Sequence, residues 1–464
     1  MKAAWRRCFL PWSDLRLLKL LFLQDLRSLL GYPSLWITLV MLSLLVGYSF
    51  VQAQDLFSQA SRTALAYPEL GSGLNPVEAV FVPTMGAYYL VETLLLPFVV
   101  IRLAGQDRQT GSLKLLLQLP LPPVMLNVAK LAALSVAGML LALPALAAIL
   151  IWHYLGGSVY GPELATLLLG HVLYTLAIFC IALFAATVSA TPASAAIICL
   201  AVTLGSWVLD FAVSSGDWPA WLSRSSLTSL LRQFETGLLS SVDVILFLSI
   251  SALFFYAGAI FLPTGRRLFD RLRGILGGML VFGVIVWVAV QYPAYRDTTE
   301  NRRHSFNPAD ERALKALPAL LDISVHMNRD DSRLYDFERS VLSKLRRLVP
   351  QLRIRYVEST SQGLFGAPEN DQYGLIEYDY EGRHDQSYST SPREVLPLIH
   401  ALAGQKLLPD PVPAYTGHPL VVDSAVSAWV FYVLLPFLFL YSAWLFRHPK
   451  LFLDVSGDLN HEDR

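Results

Sequence analysis

The chain has 464 residues, of which 54% are hydrophobic and only 16% are charged, and its mean hydropathy is +0.47. Soluble domains carry about 25% charged residues, so this composition argues against a water-soluble globular protein and predicts an integral membrane protein. The 36 Lys and Arg side chains balance the 36 Asp and Glu side chains, which gives no reason to expect a nucleic acid partner.

The amino-terminal stretch 1–34 mixes leucines with basic residues instead of forming one continuous apolar run. Because no such run leads to a small-residue cleavage site, a cleaved signal peptide is not expected. The pattern predicts an amphipathic helix that lies on the cytoplasmic membrane surface. In this helix lipid would be faced by Leu17, Leu18, Leu21, Phe22 and Leu29, and headgroups by Arg16, Lys19 and Arg27.

Eight apolar segments are each close to, or beyond, the length of about 20 residues that crosses a bilayer. Lys and Arg are concentrated at the amino terminus, after the second and sixth segments, and in the carboxyl-terminal tail. The positive-inside rule therefore places both termini in the cytoplasm. The segments lie at about 35–53, 84–103, 124–152, 164–188, 194–213, 244–262, 275–291 and 425–446.

A polar run separates the second apolar segment from the third, and neighbouring basic residues place it on the cytoplasmic side. A Leu-rich stretch at 113–117, Pro120 and Lys130 follow it. The pattern resembles the loop between the second and third spans of type 2 ABC exporter permeases, with Gln106 in place of an acid. The matching residues are Gln106, Asp107, Arg108, Gln109, Thr110, Gly111 and Ser112.

In that family this loop is a coupling helix that is pressed against a separate ATPase subunit. The resemblance therefore implies that ATP and Mg are bound by a partner ABC ATPase and that this chain holds no cofactor. The chain has no GxxxxGK[ST] phosphate loop of its own, which agrees with that division of labour. The residues alone leave a second interpretation open, an ordinary loop between two spans.

Between the fifth and sixth segments lies the sequence SSGDWPAWLSRSSLTSLLRQFETGLLSSVD, on the outer side by this count. It resembles the segment of the same exporter family in which the chain dips at the membrane surface and returns. A plain amphipathic interfacial helix is compatible with the same residues. The resemblance depends on Pro219, Leu227, Phe234, Gly237 and Asp243, and Trp218 and Trp221 suit the headgroup level.

The stretch 292–423 differs sharply in composition, because it holds 16 of the 36 Lys and Arg residues and 19 of the 36 Asp and Glu residues. We expect a water-exposed α/β domain on the outer side. Its predicted elements are a helix from 333 to 349 capped by Asp330, Asp331 and Ser332, a second helix at 391–402, and strands at 322–327 and within LRIRYVES and YGLIEYDYEG.

The opening of this domain resembles the soluble domain of gliding-motility-type ABC auxiliary proteins. In that family a span leads directly into a D-x-T motif, which Asp297, Thr298 and Thr299 match. The match to the family's following Ser-x-x-Thr is weakened by Asn307, Pro308 and Ala309. The resemblance implies a permease fused to a shortened auxiliary module.

Glu92 stands near the middle of the second apolar segment, where a carboxylate is costly unless it faces protein or water. It could line a translocation path or a subunit seam, or it could be protonated or hydroxyl-bonded and serve the structure alone. No catalytic residue and no metal site is expected, because neither the three cysteines (Cys8, Cys180, Cys199) nor the scattered residues His326, His384, His400 and His418 form a recognisable motif.

These patterns predict an α-helical polytopic membrane protein with about eight transmembrane helices and a small α/β extracytoplasmic domain between the last two. By resemblance, the chain divides into an elbow helix (1–34), a six-span permease core (35–262), a cytoplasmic basic loop with the seventh span (263–291), the outer domain (292–423), and the eighth span with a cytoplasmic tail (424–464).

The resemblance predicts a permease subunit, not an enzyme, of an ATP-driven ABC exporter in the bacterial inner membrane. Its expected partners are an ABC ATPase, a second permease subunit that would form a homodimer, and membrane lipids. The alternative is a mechanical or scaffolding complex that acts on an extracytoplasmic partner protein through 292–423 and transports no solute. An intramembrane enzyme is disfavoured because the spans contain no paired catalytic residues.

Overall fold

The computed structural model describes residues 12–119, 121–214, 226–263, 265, 267–328, 331–357, 373–405 and 415–447, and within these the side chains of 12–14, 108–109 and 210–214 are not described. The chain forms two compact units, a helical unit (Met1–Arg296 with Thr416–Arg464) and a smaller α/β unit (Asp297–Tyr415). The α/β unit lies within the predicted stretch 292–423 and is shorter than it at both ends. Residues just outside the α/β unit belong to the helical unit, where Ala294 and Ser241 exchange two hydrogen bonds of 3.0 Å.

Within the described residues, eight helices are long and apolar enough to cross a membrane. This number equals the number of apolar segments predicted from hydropathy, and it indicates a multi-pass membrane protein. We call them spans 1 to 8, and they are Pro33–Ala66, Val77–Asp107, Pro123–Tyr154, Gly161–Val188, Pro192–Leu209, Ser241–Phe261, Leu268–Gln291 and Ala425–Arg447.

Span 1 is much longer than predicted, because the helix continues to Ala66 instead of ending at 53. Its last turns carry polar side chains that are fully buried, and each has a partner from the stretch before or within span 8. Gln54 accepts a hydrogen bond of 2.7 Å from Ser427, and Ser61 accepts one of 2.9 Å from the Leu420 amide. Short helices at Pro68–Gly73 and Val77–Phe81 follow span 1. The stretch 54–83, which lies between the first two predicted apolar segments, is therefore largely helical.

Spans 2 and 3 are each built from two consecutive helices. Span 2 continues from a π-helical turn (Val77–Phe81) through Val82–Leu94 and Leu96–Gln109, and span 3 through Pro123–Leu141 and Leu143–Tyr154. In both spans the second helix has a proline as its second residue, Pro97 or Pro144. Proline has no amide hydrogen and is tolerated in the first turn of a helix, so each break starts a new helical segment.

Spans 7 and 8 pack on different neighbours. Span 7 contacts span 6, where Gly274 and Gly278 lie against Ile260 and Tyr256. Span 8 contacts span 1, and the Ser43 hydroxyl donates a hydrogen bond of 2.9 Å to the Phe431 carbonyl, which belongs to a π-helical turn at Val430–Leu434. The two spans that flank the α/β unit in the sequence are therefore held by separate contacts.

The first described helix, Trp12–Gly31, is called the entry helix below. It packs against the first half of span 3, and Arg16, Lys19 and Arg27 are exposed, as predicted. Leu29 was predicted to face lipid, but it is fully buried in the helical core. The chain turns sharply between the entry helix and span 1, with a hydrogen bond of 2.7 Å from the Trp36 indole to the Leu30 carbonyl, and this turn brings Leu29 inside.

The α/β unit contains a four-stranded sheet of strand order β4-β3-β5-β6. The first two strands of the chain, β1 (Leu238–Ser240) and β2 (Tyr295–Asp297), pair with each other and are not part of this sheet. β3 pairs with β4 in parallel and with β5 antiparallel, and β5 and β6 form a hairpin. The strands are β3 Leu321–Val325, β4 Leu352–Tyr356, β5 Ile376–Tyr380 and β6 Arg383–Ser387.

Two helices of this unit lie where the sequence predicted them. The longest runs through Ser332–Phe337, Glu338–Leu342 and Ser343–Leu348, and the Asp331 side chain caps it by accepting a bond of 2.9 Å from the Arg333 amide. Asp330, also expected at this cap, lies outside the described residues. Pro392–Leu402 forms the second predicted helix, and Pro308–Lys315 is an additional one. The side of the longest helix that faces the core is buried at Leu334, Phe337, Val341 and Leu345 and partly buried at Leu348.

Candidate functional site

The polar loop between spans 2 and 3, residues 106–112, is a continuation of span 2 followed by a sharp reversal. The helix that ends span 2 reaches Gln109, and Gly111 then takes a left-handed conformation with φ of 76°. Glycine accepts this backbone without the clash that a Cβ causes. A short helix, Ser112–Leu116, follows and leads back to span 3.

Asp107 is held by an ion pair inside the chain. Its Oδ2 atom accepts a hydrogen bond of 2.6 Å from Lys130 Nζ in span 3, and the same ammonium lies 3.3 Å from Asp25 Oδ1 in the entry helix. The side chains of all three residues are largely buried, with 9% of Lys130 and 15% of each aspartate exposed. Burial raises the pKa of Asp25, although the Lys130 ammonium opposes that shift. Three elements therefore meet at one buried ammonium.

The loop is also bonded to itself. The Ser112 hydroxyl lies 3.2 Å from Asp107 Oδ1, and the Thr110 hydroxyl donates to the Gln106 carbonyl at 3.0 Å. These bonds close the chain reversal around Gly111. The predicted site residues Gln106, Asp107, Thr110, Gly111 and Ser112 thus lie together, whereas the side chains of Arg108 and Gln109, together with Pro120, lie outside the described residues.

The outward surface of the loop is formed by other residues than Asp107. Gln106, Thr110 and Lys114 are exposed, and Leu115 is 68% exposed. A depression of about 600 Å³ lies beside this surface, and the Arg102 guanidinium forms part of its wall. A protein that contacted this loop would therefore meet an amide, a hydroxyl, an ammonium and an exposed leucine.

Glu92, the other predicted site residue, is 2% exposed and belongs to a buried polar cluster. Thr175 of span 4 donates a hydrogen bond to Glu92 Oε1. His171, one turn earlier in span 4, places Nδ1 3.6 Å from Glu92 Oε2 and Nε2 3.6 Å from Glu235 Oε1. One imidazole thus lies between two carboxyl groups from different elements. We call Glu92, His171, Thr175 and Glu235 the buried polar cluster.

Glu235 is the last residue of the helix Leu227–Glu235, which lies in the segment expected to dip at the membrane surface. In this helix Leu227 and Phe234 are buried, and Gly237 after it takes a positive φ of 80°. Pro219, Trp218 and Trp221 of the same segment lie outside the described residues. The helix packs against span 4, which explains how Glu235 reaches His171.

A second line of hydroxyl groups runs beside the buried polar cluster. The hydroxyls of Thr93 and Tyr174 lie 2.7 Å apart, and those of Tyr89 and Thr228 lie 3.1 Å apart. The Tyr89 and Tyr174 rings are in contact, with centroids 5.0 Å apart. Span 2, span 4 and the helix Leu227–Glu235 are therefore joined by polar contacts at membrane depth, where each such contact is favoured over an unsatisfied group.

A cavity of about 520 Å³ adjoins this cluster between spans 2, 3 and 4. Most of its wall is hydrocarbon, with Gly138 and Ala142 of span 3 and Phe179 of span 4 contributing. His171 and Thr175 form part of its wall as well. The cluster therefore borders a space large enough for a small ligand.

In the α/β unit, the Asp297 and Thr299 of the expected D-x-T motif form a local cap. The Asp297 carboxylate accepts bonds from the Thr299 hydroxyl at 2.6 Å, the His304 amide at 2.9 Å and the Ser305 hydroxyl at 2.7 Å. Burial would raise the pKa of Asp297, but these hydrogen bonds outweigh it and lower the pKa. The motif therefore closes the loop that opens this unit.

Four histidines of 292–423 each have a different neighbour. His326 lies 3.5 Å from Glu377, His384 3.1 Å from Asp379, His400 3.1 Å from Asp310, and His418 3.0 Å from Ser158. In the described part of the chain, no three His, Cys, Asp or Glu residues are grouped so as to hold a metal ion. Cys180 and Cys199 are buried as free thiols, and Cys8 lies outside the described residues.

The chain matches no protein-family model, no curated protein and no solved structure. The fold alone defines the class of the protein. It is a multi-pass membrane protein with eight candidate spans and a small α/β unit.

Proposed function

We propose that the chain is the permease subunit of an ATP-driven ABC exporter, in which a separate ATPase subunit contacts the loop 106–112. The observation that carries this proposal is the position of Lys130, bonded at once to Asp107 and Asp25. A force applied to the loop would reach span 3 and the entry helix directly, because the ion pairs join all three. Such a rigid connection is what a loop needs in order to convert closure of a partner into movement of helices.

The exposed surface of the loop supports the same proposal. Gln106, Thr110, Lys114 and Leu115 face away from the chain, whereas Asp107 faces inward. In this arrangement Asp107 keeps the loop in position, and the exposed residues form the contact with the ATPase. ATP and Mg would be bound by that subunit.

The distribution of Lys and Arg supports an orientation with the loop and both termini in the cytoplasm of a bacterial cell. The α/β unit Asp297–Tyr415 then lies on the outer side of the inner membrane. Two copies of this chain would form a homodimer over two ATPase subunits, since a pair of permease subunits and a pair of ATPases complete the exporter that the loop pattern resembles.

Cysteine labelling in intact cells tests the orientation. In a chain without its three native cysteines, single cysteines would be placed at Thr110 in the loop, at Tyr154 at the far end of span 3, and at Gln386 in β6. All three side chains are exposed. A membrane-impermeant maleimide should label Tyr154→Cys and Gln386→Cys but label Thr110→Cys only after the cells are opened. Labelling of Thr110→Cys in intact cells would refute the proposal.

Crosslinking tests the ATPase contact. Thr110→Cys and Lys114→Cys, treated with a short bifunctional crosslinker, should capture a nucleotide-hydrolysing subunit that copurifies with the chain. Tyr154→Cys is the matched control, because it lies at the opposite end of span 3 and is 78% exposed. Purified complexes that never contain an ATPase would argue against export driven by ATP.

A second function is a mechanical or scaffolding complex, and one observation favours it. Among the described residues, one face of the sheet in the α/β unit bears a polar depression of about 540 Å³ whose wall includes Asp322, Arg355 and Asp379. Such a face suits an outer protein partner. Replacing 297–415 by a flexible linker separates the two functions: export that persists without this unit would eliminate the scaffold, and loss of a bound partner with no solute transported would favour it.

A further inference from the structure

The cavity between spans 2, 3 and 4 opens toward the bilayer instead of toward water. Met139 of span 3 and Val172 of span 4 stand at its wall and are 71% and 65% exposed. Both lie well inside spans that are apolar throughout, so the medium at this opening is lipid hydrocarbon. A molecule that entered the cavity would come from the membrane.

One part of the wall is polar and deeply buried. Tyr88, His171 and Thr175 line the cavity and are 5%, 3% and 8% exposed. The Thr175 hydroxyl donates its hydrogen to Glu92. The Thr175 oxygen can therefore still accept a hydrogen bond from a ligand. The two His171 nitrogens each stand 3.6 Å from a carboxylate oxygen, longer than an ordinary hydrogen bond. The imidazole therefore keeps hydrogen-bonding capacity beside the cavity.

The balance of donors and acceptors selects the kind of polar group that fits. Two carboxyl groups, Glu92 and Glu235, flank the His171 imidazole, and the Thr175 hydroxyl also donates to Glu92. A neutral hydroxyl group on a ligand can both donate and accept, so it can bond to Thr175 or to His171. A carboxylate or phosphate only accepts, and its negative charge would lie beside two carboxyl groups.

We propose that this cavity binds an amphipathic membrane molecule whose hydrocarbon chain lies along spans 3 and 4 and whose neutral hydroxyl group meets His171 and Thr175. Small residues make room for the chain, because a side chain at Gly138 would contact Phe179, at 3.4 Å, and Ala142 adds a second gap. Apolar cavities of this kind stay dry and take up hydrocarbon. The volume of about 520 Å³ lies within the range of ligand pockets.

The identification of this ligand as an exported substrate rests on the proposed exporter function. Binding itself does not, because it requires neither ATP nor a partner. Failure of binding and failure of export can therefore be told apart: a ligand that binds but is not moved by ATP would refute export alone.

The first test uses photoreactive probes on the purified full-length chain in lipid nanodiscs. Three probes with the same chain length and the same diazirine position differ only at one end, as an alcohol, a carboxylic acid at pH 8 and a plain hydrocarbon. The alcohol should label residues of spans 2, 3 and 4 that border the cavity, and the acid should label them about fivefold less, since one hydrogen bond is at stake. Equal labelling of all lipid-facing spans would overturn the proposal.

The second test fills the cavity. Ala142→Phe places a ring inside it, and Leu146→Trp narrows the opening at a partly exposed position, so that one variant remains informative if the other fails to fold. Both should lower labelling by the alcohol at least about tenfold, which corresponds to losing one or two buried methylene contacts. The control is Ala201→Phe, an exposed position of span 5 remote from the cavity wall. Unchanged labelling in both cavity variants would refute the site.

The third test removes only the polar end. Thr175→Val keeps the shape of the side chain and deletes its hydroxyl. The alcohol should lose its advantage over the hydrocarbon probe, whereas labelling by the hydrocarbon probe should persist.

If the probes label nothing and crosslinks instead join two copies of the chain through this opening, a second copy fills it and the proposal is wrong.

Discussion

Lys130 Nζ lies 2.6 Å from Asp107 Oδ2, and this bond fixes the end of span 2 to the first half of span 3. A lysine within an apolar span is tolerated only where its charge is compensated. Here two carboxylates compensate it, because Asp25 of the entry helix approaches the same ammonium at 3.3 Å. The loop that follows Asp107 is thereby attached to the helix bundle through its charge.

Removing the ammonium should destabilise the protein more than removing one carboxylate. Lys130→Met leaves Asp25 and Asp107 buried without a cation, at a cost of about 3 kcal/mol, whereas Asp107→Asn leaves the Lys130–Asp25 pair intact and should cost about 1 kcal/mol. The thermal unfolding midpoint in detergent measures both. Lys114→Met, an exposed lysine near the same loop, is the control and should change little. Equal midpoints for Lys130→Met and Lys114→Met would show that the buried ion pairs contribute nothing.

The turn at Gly111 should tolerate asparagine better than alanine. Its φ of 76° costs an ordinary residue about 1 kcal/mol, but asparagine visits this conformation more readily. Space is not the obstacle, since no atom lies within 4 Å of a Cβ built there. Under the proposed function, Gly111→Ala should therefore lower the ATPase activity of the complex, and Gly111→Asn should keep most of it. Equal loss in both would mean that the backbone conformation is not what matters.

Hydropathy predicted all eight spans because each contains an apolar run long enough to be recognised without any partner. It could not predict that span 1 continues to Ala66, since Ser61 and its neighbours are polar. Their hydroxyl and amide groups bond to residues more than 350 positions later, such as Leu420, and no local pattern records such a pairing. The same limitation explains Leu29, whose burial depends on a sharp turn of the chain rather than on helical periodicity.

Glu92 could be recognised from the sequence because a single carboxylate in an apolar run is conspicuous. Its partner His171 could not, since it comes from span 4 and a lone histidine in a helix usually has a purely structural role. Glu235 reaches the same imidazole only through the fold of the segment before span 6. In the α/β unit, β6 was missed for a related reason, because Arg383–Ser387 has no apolar alternation and is defined by its hairpin pairing with β5.

Lys344 should make the α/β unit more stable as the pH rises. Burial, together with the nearby Arg347, lowers the pKa of Lys344 from 10.5 to about 8, although Asp297 opposes the shift. Its ammonium lies 3.3 Å from the Ser305 carbonyl and 5.0 Å from the centre of the Phe306 ring. Between pH 8 and 10.5 the unfolded chain binds more protons at this group, so its contribution to the free energy of unfolding rises by on the order of 2–3 kcal/mol.

The measurement is the urea midpoint of the α/β unit, read by pulse proteolysis of the full chain at several pH values. Lys344→Met should remove the rise above pH 8, and the wild type should keep it. Lys315→Met is the matched control, because that side chain is 58% exposed and its 3.8 Å ion pair with Glu311 lies at the surface. A pH dependence that is the same in all three proteins would contradict the assignment to Lys344.

The contact of span 1 with span 8 should depend on the absence of a side chain at Gly47. A Cβ added there would overlap Phe431, including the Cβ atom of that residue, which no rotamer change can move away. Gly47→Ala should therefore separate the two helices, disturb the bond from Ser43 to the Phe431 carbonyl, and lower stability by about 1–3 kcal/mol. Gly86→Ala in span 2 is the control, since nothing lies within 4 Å of its added Cβ and alanine favours the helix. The measurement is the temperature at which the intact protein is lost when each variant is heated in detergent. This temperature should be well below the wild-type value for Gly47→Ala and at or above it for Gly86→Ala. The same ranking for both alanines would show that span 8 is not packed against Gly47.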